Sequence, residues 1–199
     1  MFEYHAPVRF YLGANTPVGF VGYLDDLYDA GEGWQAYIIK SGPGTGKSSL
    51  MRTVMNTMSE LGQEPEAIYC SSDPRSLDGV LFPKLKICIL DGTAPHVIEP
   101  RYWGAVEQIV NLSECMDGEM LHRQHAAIIA ATDACSAMHV RCRKFIGAAA
   151  SLLGDSARIL QEFTDGEKVA RTAARIAARE FGCHCGASGK ERRRFLSAV

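Results

Sequence analysis

Nine residues constrain this chain more than any others: Ser41-Gly42-Pro43-Gly44-Thr45-Gly46-Lys47-Ser48-Ser49. Glycines alternate with small residues, and a lysine and two hydroxyls follow. Glycine reaches φ angles that other residues avoid, so Gly42, Gly44 and Gly46 are expected to turn successive backbone N–H groups toward one point. The run Trp34 to Lys40 before the loop reads as an apolar strand. Ser48 to Leu61 after it carries Leu50, Met51, Val54, Met55 and Met58 at helical spacing, and Gly62 stops it. A loop between a strand and a helix N-terminus collects partial positive charge, which suits a phosphate chain. The pattern G-x-x-x-x-G-K-[ST] is met at Gly46, Lys47 and Ser48 and departed from at Ser41.

On this reading the backbone and side chains of Gly42, Pro43, Gly44, Thr45, Gly46, Lys47, Ser48 and Ser49 hold the phosphates. Lys47 reaches the β- and γ-phosphates, and the Ser48 hydroxyl ligates Mg²⁺. A second, acidic anchor for the cation is supplied by Lys86 to Asp91 (KICILD), an apolar strand ending in a carboxylate. Asp91 is therefore expected to share the metal with Ser48. Gly92 follows it, where many ATPases carry a water-activating glutamate. Asp73, in the segment Ser71 to Gly79, is the candidate base. His96 could orient a water or a hydroxyl, and Arg75 could meet a phosphate. The ligands implied are ATP and Mg²⁺.

Around the loop the chain alternates strand and helix signals. Val8 to Leu12, Glu66 to Cys70, Lys86 to Leu90 and Glu107 to Leu112 read as further strands, and Thr16-Pro17 as the opening of a helix over 18–28. The fold class expected is α/β, a P-loop NTPase fold with a mostly parallel sheet flanked by helices, followed by a long α-helical segment. Residues 1–115 form the nucleotide-binding core. Residues 116–181, alanine-rich and free of proline, form one long helix or two, broken at Gly154-Asp155 and at Thr164-Asp165-Gly166, as a hairpin or small bundle. Residues 182–199 form a linker. At 199 residues the whole is one large domain or one domain plus an appendage.

Composition excludes several classes. The formal net charge is -2, which argues against a protein that coats nucleic acid or an anionic membrane. No apolar run approaches a membrane span, and Met1 to Pro7 does not resemble a secretory signal. Seven scattered cysteines read as reduced thiols of a cytoplasmic protein. No Asn-Lys-x-Asp guanine reader, transporter signature or helicase box is present. Weaker features favour bland readings: Cys183-His184-Cys185 lacks a second ligand pair, Gly186 to Lys190 lacks a preceding strand, and His122 with His125 suits a helix surface.

The segments Gly13 to Phe20, Ile39 to Ser48, Cys70 to Val80 and Asp91 to His96 together resemble an uncharacterised family of bacterial P-loop ATPase-like proteins. The resemblance spans residues 9 to about 112. It implies an NTP-binding domain and tandem P-loop halves, and Ser41 departs from the family's usual glycine. A second half or a homo-oligomer partner is thus expected. Independently, Arg193 to Val199 repeats Arg9 to Asn15, with arginine, leucine and alanine in register and an aromatic before each leucine. Residues 182–199 are accordingly read as the start of a second repeat. The residues alone leave three functions open: an ATPase, a small-molecule or nucleotide kinase on the same site, and a nucleotide-gated interaction module.

Overall fold

The computed structural model describes residues 8–94, 97–181 and 193–198. Strands β1 (Val8–Phe10), β4 (Gln35–Lys40), β5 (Glu66–Tyr69), β6 (Leu77–Phe82), β7 (Ile87–Asp91) and β8 (Glu107–Asn111) form one sheet in the order β1-β5-β6-β7-β4-β8. A hairpin of β2 (Gly13–Thr16) and β3 (Gly19–Gly22) stands apart. Helix α1 (Lys47–Glu60) follows β4, and α2 (Gly118–Arg123), α3 (His125–Glu162) and α4 (Gly166–Phe181) follow β8.

Alternation along the strands gives the sheet two apolar faces. Ile39, Ala67, Leu77, Val80 and Phe82 pack under Met51 and Met55 of α1. On the other face Ala36, Ile68, Leu81, Cys88 and Leu90 meet Leu12, Leu27 and Trp34. Both faces being covered explains why β4 and β7 read as nearly continuous apolar runs.

The sheet is mixed: five strands share one direction and β6 alone among its six strands runs against them. β6 runs antiparallel to both β5 and β7, while β1–β5, β7–β4 and β4–β8 are parallel. The cause is a tight turn after β5, closed by Ser76 N–H donating to Asp73 O at 2.8 Å, which sends the chain straight back. The helix expected over 18–28 is absent. Thr16-Pro17-Val18-Gly19 is instead the turn of the β2–β3 hairpin, closed by the Thr16 hydroxyl on Gly19 O at 2.6 Å. Gly19 has φ +127°, and the Phe20 ring lies where Gly13 would carry a Cβ. Proline fits a turn's second position as well as a helix's first.

The expected break at Gly154 is also absent, since α3 runs unbroken for 38 residues, about 57 Å at ~1.5 Å per residue. The break at 164–165 is present, with Asp165 accepting from Lys168 N–H at 3.0 Å. α3 is exposed except near Arg143, Ile146 and Gly147, where it meets the β2–β3 hairpin, and α4 is exposed over 166–180. No helix among the described residues is long and apolar enough to cross a membrane.

Among the described residues one acidic side chain lies inside. Glu107, only 2% exposed, accepts from the Tyr28 hydroxyl at 3.0 Å and from Tyr102 N–H at 2.8 Å. Burial, then the bond to Glu107, raises the Tyr28 pKa, and burial raises that of Cys88 beside them. Removing a partner from a buried acceptor leaves its desolvation uncompensated. Tyr28→Phe should therefore cost about 1–3 kcal/mol in urea unfolding. A loss below about 0.5 kcal/mol, the size of an ordinary surface change, would contradict this assignment.

Candidate functional site

The site is built on the C-terminal end of β4. The chain leaves the sheet at Lys40, turns through residues 41–46 and enters α1 at Lys47. Gly44 and Gly46 have φ +74° and +87°. A Cβ at either would meet nothing within 4 Å, so backbone conformation and not space demands glycine there. Gly42 does not share this conformation, contrary to the sequence expectation, and neither does Ser41. A glycine at position 41 is therefore not required by the backbone. The Ser41 side chain is used instead: its hydroxyl accepts from Ser113 Oγ at 3.5 Å and donates to Met116 Sδ at 3.9 Å.

Helix α1 begins without a side-chain cap and without an acidic residue in its first turn. Its first N–H groups keep their partial positive charge directed at the loop. Lys47 Nζ donates to Gly42 O at 2.7 Å and to Ser41 O at 3.4 Å, and stands 3.6 Å from Asp91 Oδ2. The Lys47 and Asp91 side chains are 11% and 13% exposed, a sheltered ion pair at the mouth of the loop. Thr45 Oγ donates to Gly42 O at 2.9 Å and closes the loop on itself.

Asp91 arrives there by sheet register. β7 lies immediately beside β4, with Asp91 opposite Ile39, so the carboxylate emerges one strand from the loop. Thr93 fixes it, donating its N–H to Oδ1 at 2.9 Å and its hydroxyl to the same oxygen. Ser48 Oγ accepts from Leu77 N–H at 3.0 Å, which ties the start of α1 to the start of β6. Asp91 and Ser48 offer the hard oxygen donors that suit Mg²⁺. Among the described residues no group of three or more His, Cys, Asp and Glu is placed to hold a metal. A magnesium ion completed by phosphate oxygens and water needs no such group.

The other sequence candidates divide. Asp73 lies at the same edge of the sheet, in the connection from β5 to β6, and its oxygens are engaged in a turn. Oδ1 accepts from Arg75 N–H at 3.1 Å and Oδ2 from Ser76 Oγ at 2.9 Å. Those bonds, the Arg75 N–H first, hold its carboxyl below the usual carboxylate range. A carboxylate so occupied is a weak base. Arg75 is almost fully exposed, while Arg52 donates to its carbonyl. Asn15 Nδ2 reaches the neighbouring Ser71 O at 3.1 Å. Ser49 lies in the first turn of α1, its carbonyl accepting from Thr53 Oγ at 3.0 Å. His96, Cys183, His184 and Cys185 lie outside the described residues.

A cleft of about 350 Å³ opens on the opposite side of the loop from Asp91. Pro43, Gly44 and Thr45 form one wall, and Met116, Met120 and Leu121 much of the other. These residues follow β8, the strand on the far side of β4 from β7. No motif marks them in the sequence, and only the β4–β8 pairing brings them to the loop.

The depressed Asp73 carboxyl has a defined signature. Its turn is fully formed above the ordinary aspartate pKa and loosens as pH falls through the lower folded value. NMR titration should place the Asp73 midpoint below the ordinary aspartate value. A midpoint at or above that value would contradict the turn geometry. Comparison of the chain with protein-family models, with curated proteins and with solved structures finds no match.

Proposed function

We propose that this chain is a P-loop NTPase that binds Mg·ATP through residues 42–48 and hydrolyses it slowly. The observation that carries the reading is the convergence of Lys47, an uncapped helix N-terminus and Asp91 on one loop, with Lys47 and Asp91 3.6 Å apart. Without nucleotide, Lys47 satisfies its charge on Gly42 O, Ser41 O and Asp91. A phosphate chain offers it stronger, charged acceptors.

The roles follow from position. The loop N–H groups orient the phosphates, and Lys47 neutralises charge on the terminal ones. Ser48 and Asp91 would hold Mg²⁺, which when bound would supply charge neutralisation to the phosphates. A terminal phosphate toward Asp91 on the β7 side directs the nucleoside into the cleft on the β8 side. Gly92 after Asp91 and the tied Asp73 carboxylate leave water weakly activated, so turnover is slow.

The direct adjacency of β7 and β4 favours a second reading, phosphoryl transfer to an acceptor, because this strand order separates kinase-like from ATPase-like arrangements. ADP release that rises with an acceptor and not with water alone distinguishes it.

Calorimetry with Mg·ATP tests the shared site. Lys47→Ala should weaken binding tenfold or more, about 1.4 kcal/mol. Asp91→Asn should remove the gain in affinity that Mg²⁺ gives. Equal affinity in wild type and Lys47→Ala, or no binding by either, would overturn the reading.

A further inference from the structure

The segment 193–198 returns to the N-terminal edge of the sheet. Tyr11 N–H donates to Phe195 O at 2.9 Å, and Phe195 N–H donates to Tyr11 O at 2.9 Å, in antiparallel sense. These two residues are counterparts in the sequence repeat, in which Arg193, Phe195, Leu196 and Ala198 align with Arg9, Tyr11, Leu12 and Ala14. Two equivalent positions that exchange the same bonds make the contact of a two-fold axis.

The surrounding side chains form a built seat. The Phe195 ring stacks on Tyr23 with centroids 4.9 Å apart. The Arg193 guanidinium lies 4.4 Å from the Tyr23 ring centroid and takes both oxygens of Asp26, at 2.6 and 3.1 Å. Asn15 N–H donates to Ala198 O at 3.0 Å. Leu196 breaks the pattern: it is 91% exposed, whereas its counterpart Leu12 is 3% exposed in the core. The segment therefore carries a core residue with no core beneath it. Arg9, the counterpart of Arg193, is exposed and lies over Tyr69 at 6.0 Å. β1, which leads into Tyr11, is an edge strand, the natural place for a copy to add.

We propose that Tyr11, Tyr23 and Asp26 form a two-fold interface for a second copy of this unit, and that residues 193–198 occupy in cis the place of the partner's residues 9–14. In the paired state each copy's Arg9 meets the other's Asp26, and the two Tyr11 residues flank the axis. The inference is independent of nucleotide binding.

The test uses the full chain. Arg193→Glu with Phe195→Asp places acids against Asp26 and Tyr23 and releases the segment. The released variant should then double its mass by sedimentation relative to wild type. Adding Tyr11→Cys to it should yield a disulfide that joins position 11 of one copy to position 11 of the other, identified by peptide mapping. A reciprocally bonded antiparallel pair has the Cα spacing that such a bond needs. In the otherwise unaltered chain, Tyr11→Cys with Phe195→Cys should close within one chain, which checks that the segment is seated as described. A released variant that stays at the wild-type mass, or that dimerises without the link between the two positions 11, would overturn the proposal. So would failure of the 11–195 disulfide to form.

Discussion

The parallel pairing of β4 with β7 on one side and β8 on the other is the constraint on which the rest depends. It fixes three things at one edge of the sheet: the glycine-rich loop that ends β4, the carboxylate that ends β7, and the segment that leaves β8 to form the cleft wall. Parallel strands deliver their C-terminal ends together, so groups distant in sequence become neighbours without any local motif. Ile39 opposite Asp91 and Lys40 opposite Asn111 are the register positions that do this.

The electrostatics of that edge are held in reserve. Lys47 is sheltered, but its partners are two carbonyls and a carboxylate 3.6 Å away, not a tight bidentate pair. Breaking a buried ion pair outright is costly, whereas exchanging one anionic partner for another is not. Asp91 keeps its orientation through Thr93, independently of Lys47. The arrangement thus holds its shape while its lysine can change partner. Ser41 extends the same edge toward Ser113 and Met116, so the loop is tied to the root of the helical segment.

Much of this is legible in the chain. β4, β5, β7 and β8 stand where apolar runs predict them, and α1 where its 3.6-residue spacing does, because these elements bury what their local pattern offers. β6 is hidden in a segment that reads as turn chemistry. Its Gly79 sits where a Cβ would come within 2.9 Å of Ile68 and Leu90, so the glycine serves close packing within a strand. The hairpin in place of a helix over 18–28 turns on Thr16-Pro17, which fits both a helix start and a turn. Phe20 packs over Gly13 across the hairpin, a contact that exists only once the two strands pair and that no residue spacing announces. Gly154 does not break α3 because one glycine costs a long helix only about 1 kcal/mol. The cleft residues Met116 and Met120 carry no signal, since side chains that line a pocket by strand order leave no spacing rule behind.

The central claim is that the backbone of residues 42–48 grips a phosphate chain. Amide hydrogen exchange of these residues, with and without Mg·ATP, tests it most directly. Exchange slowed at 42–48 and at the start of α1, with the slowing lost in Lys47→Ala, is the predicted result. Exchange unchanged there at saturating Mg·ATP would contradict the account.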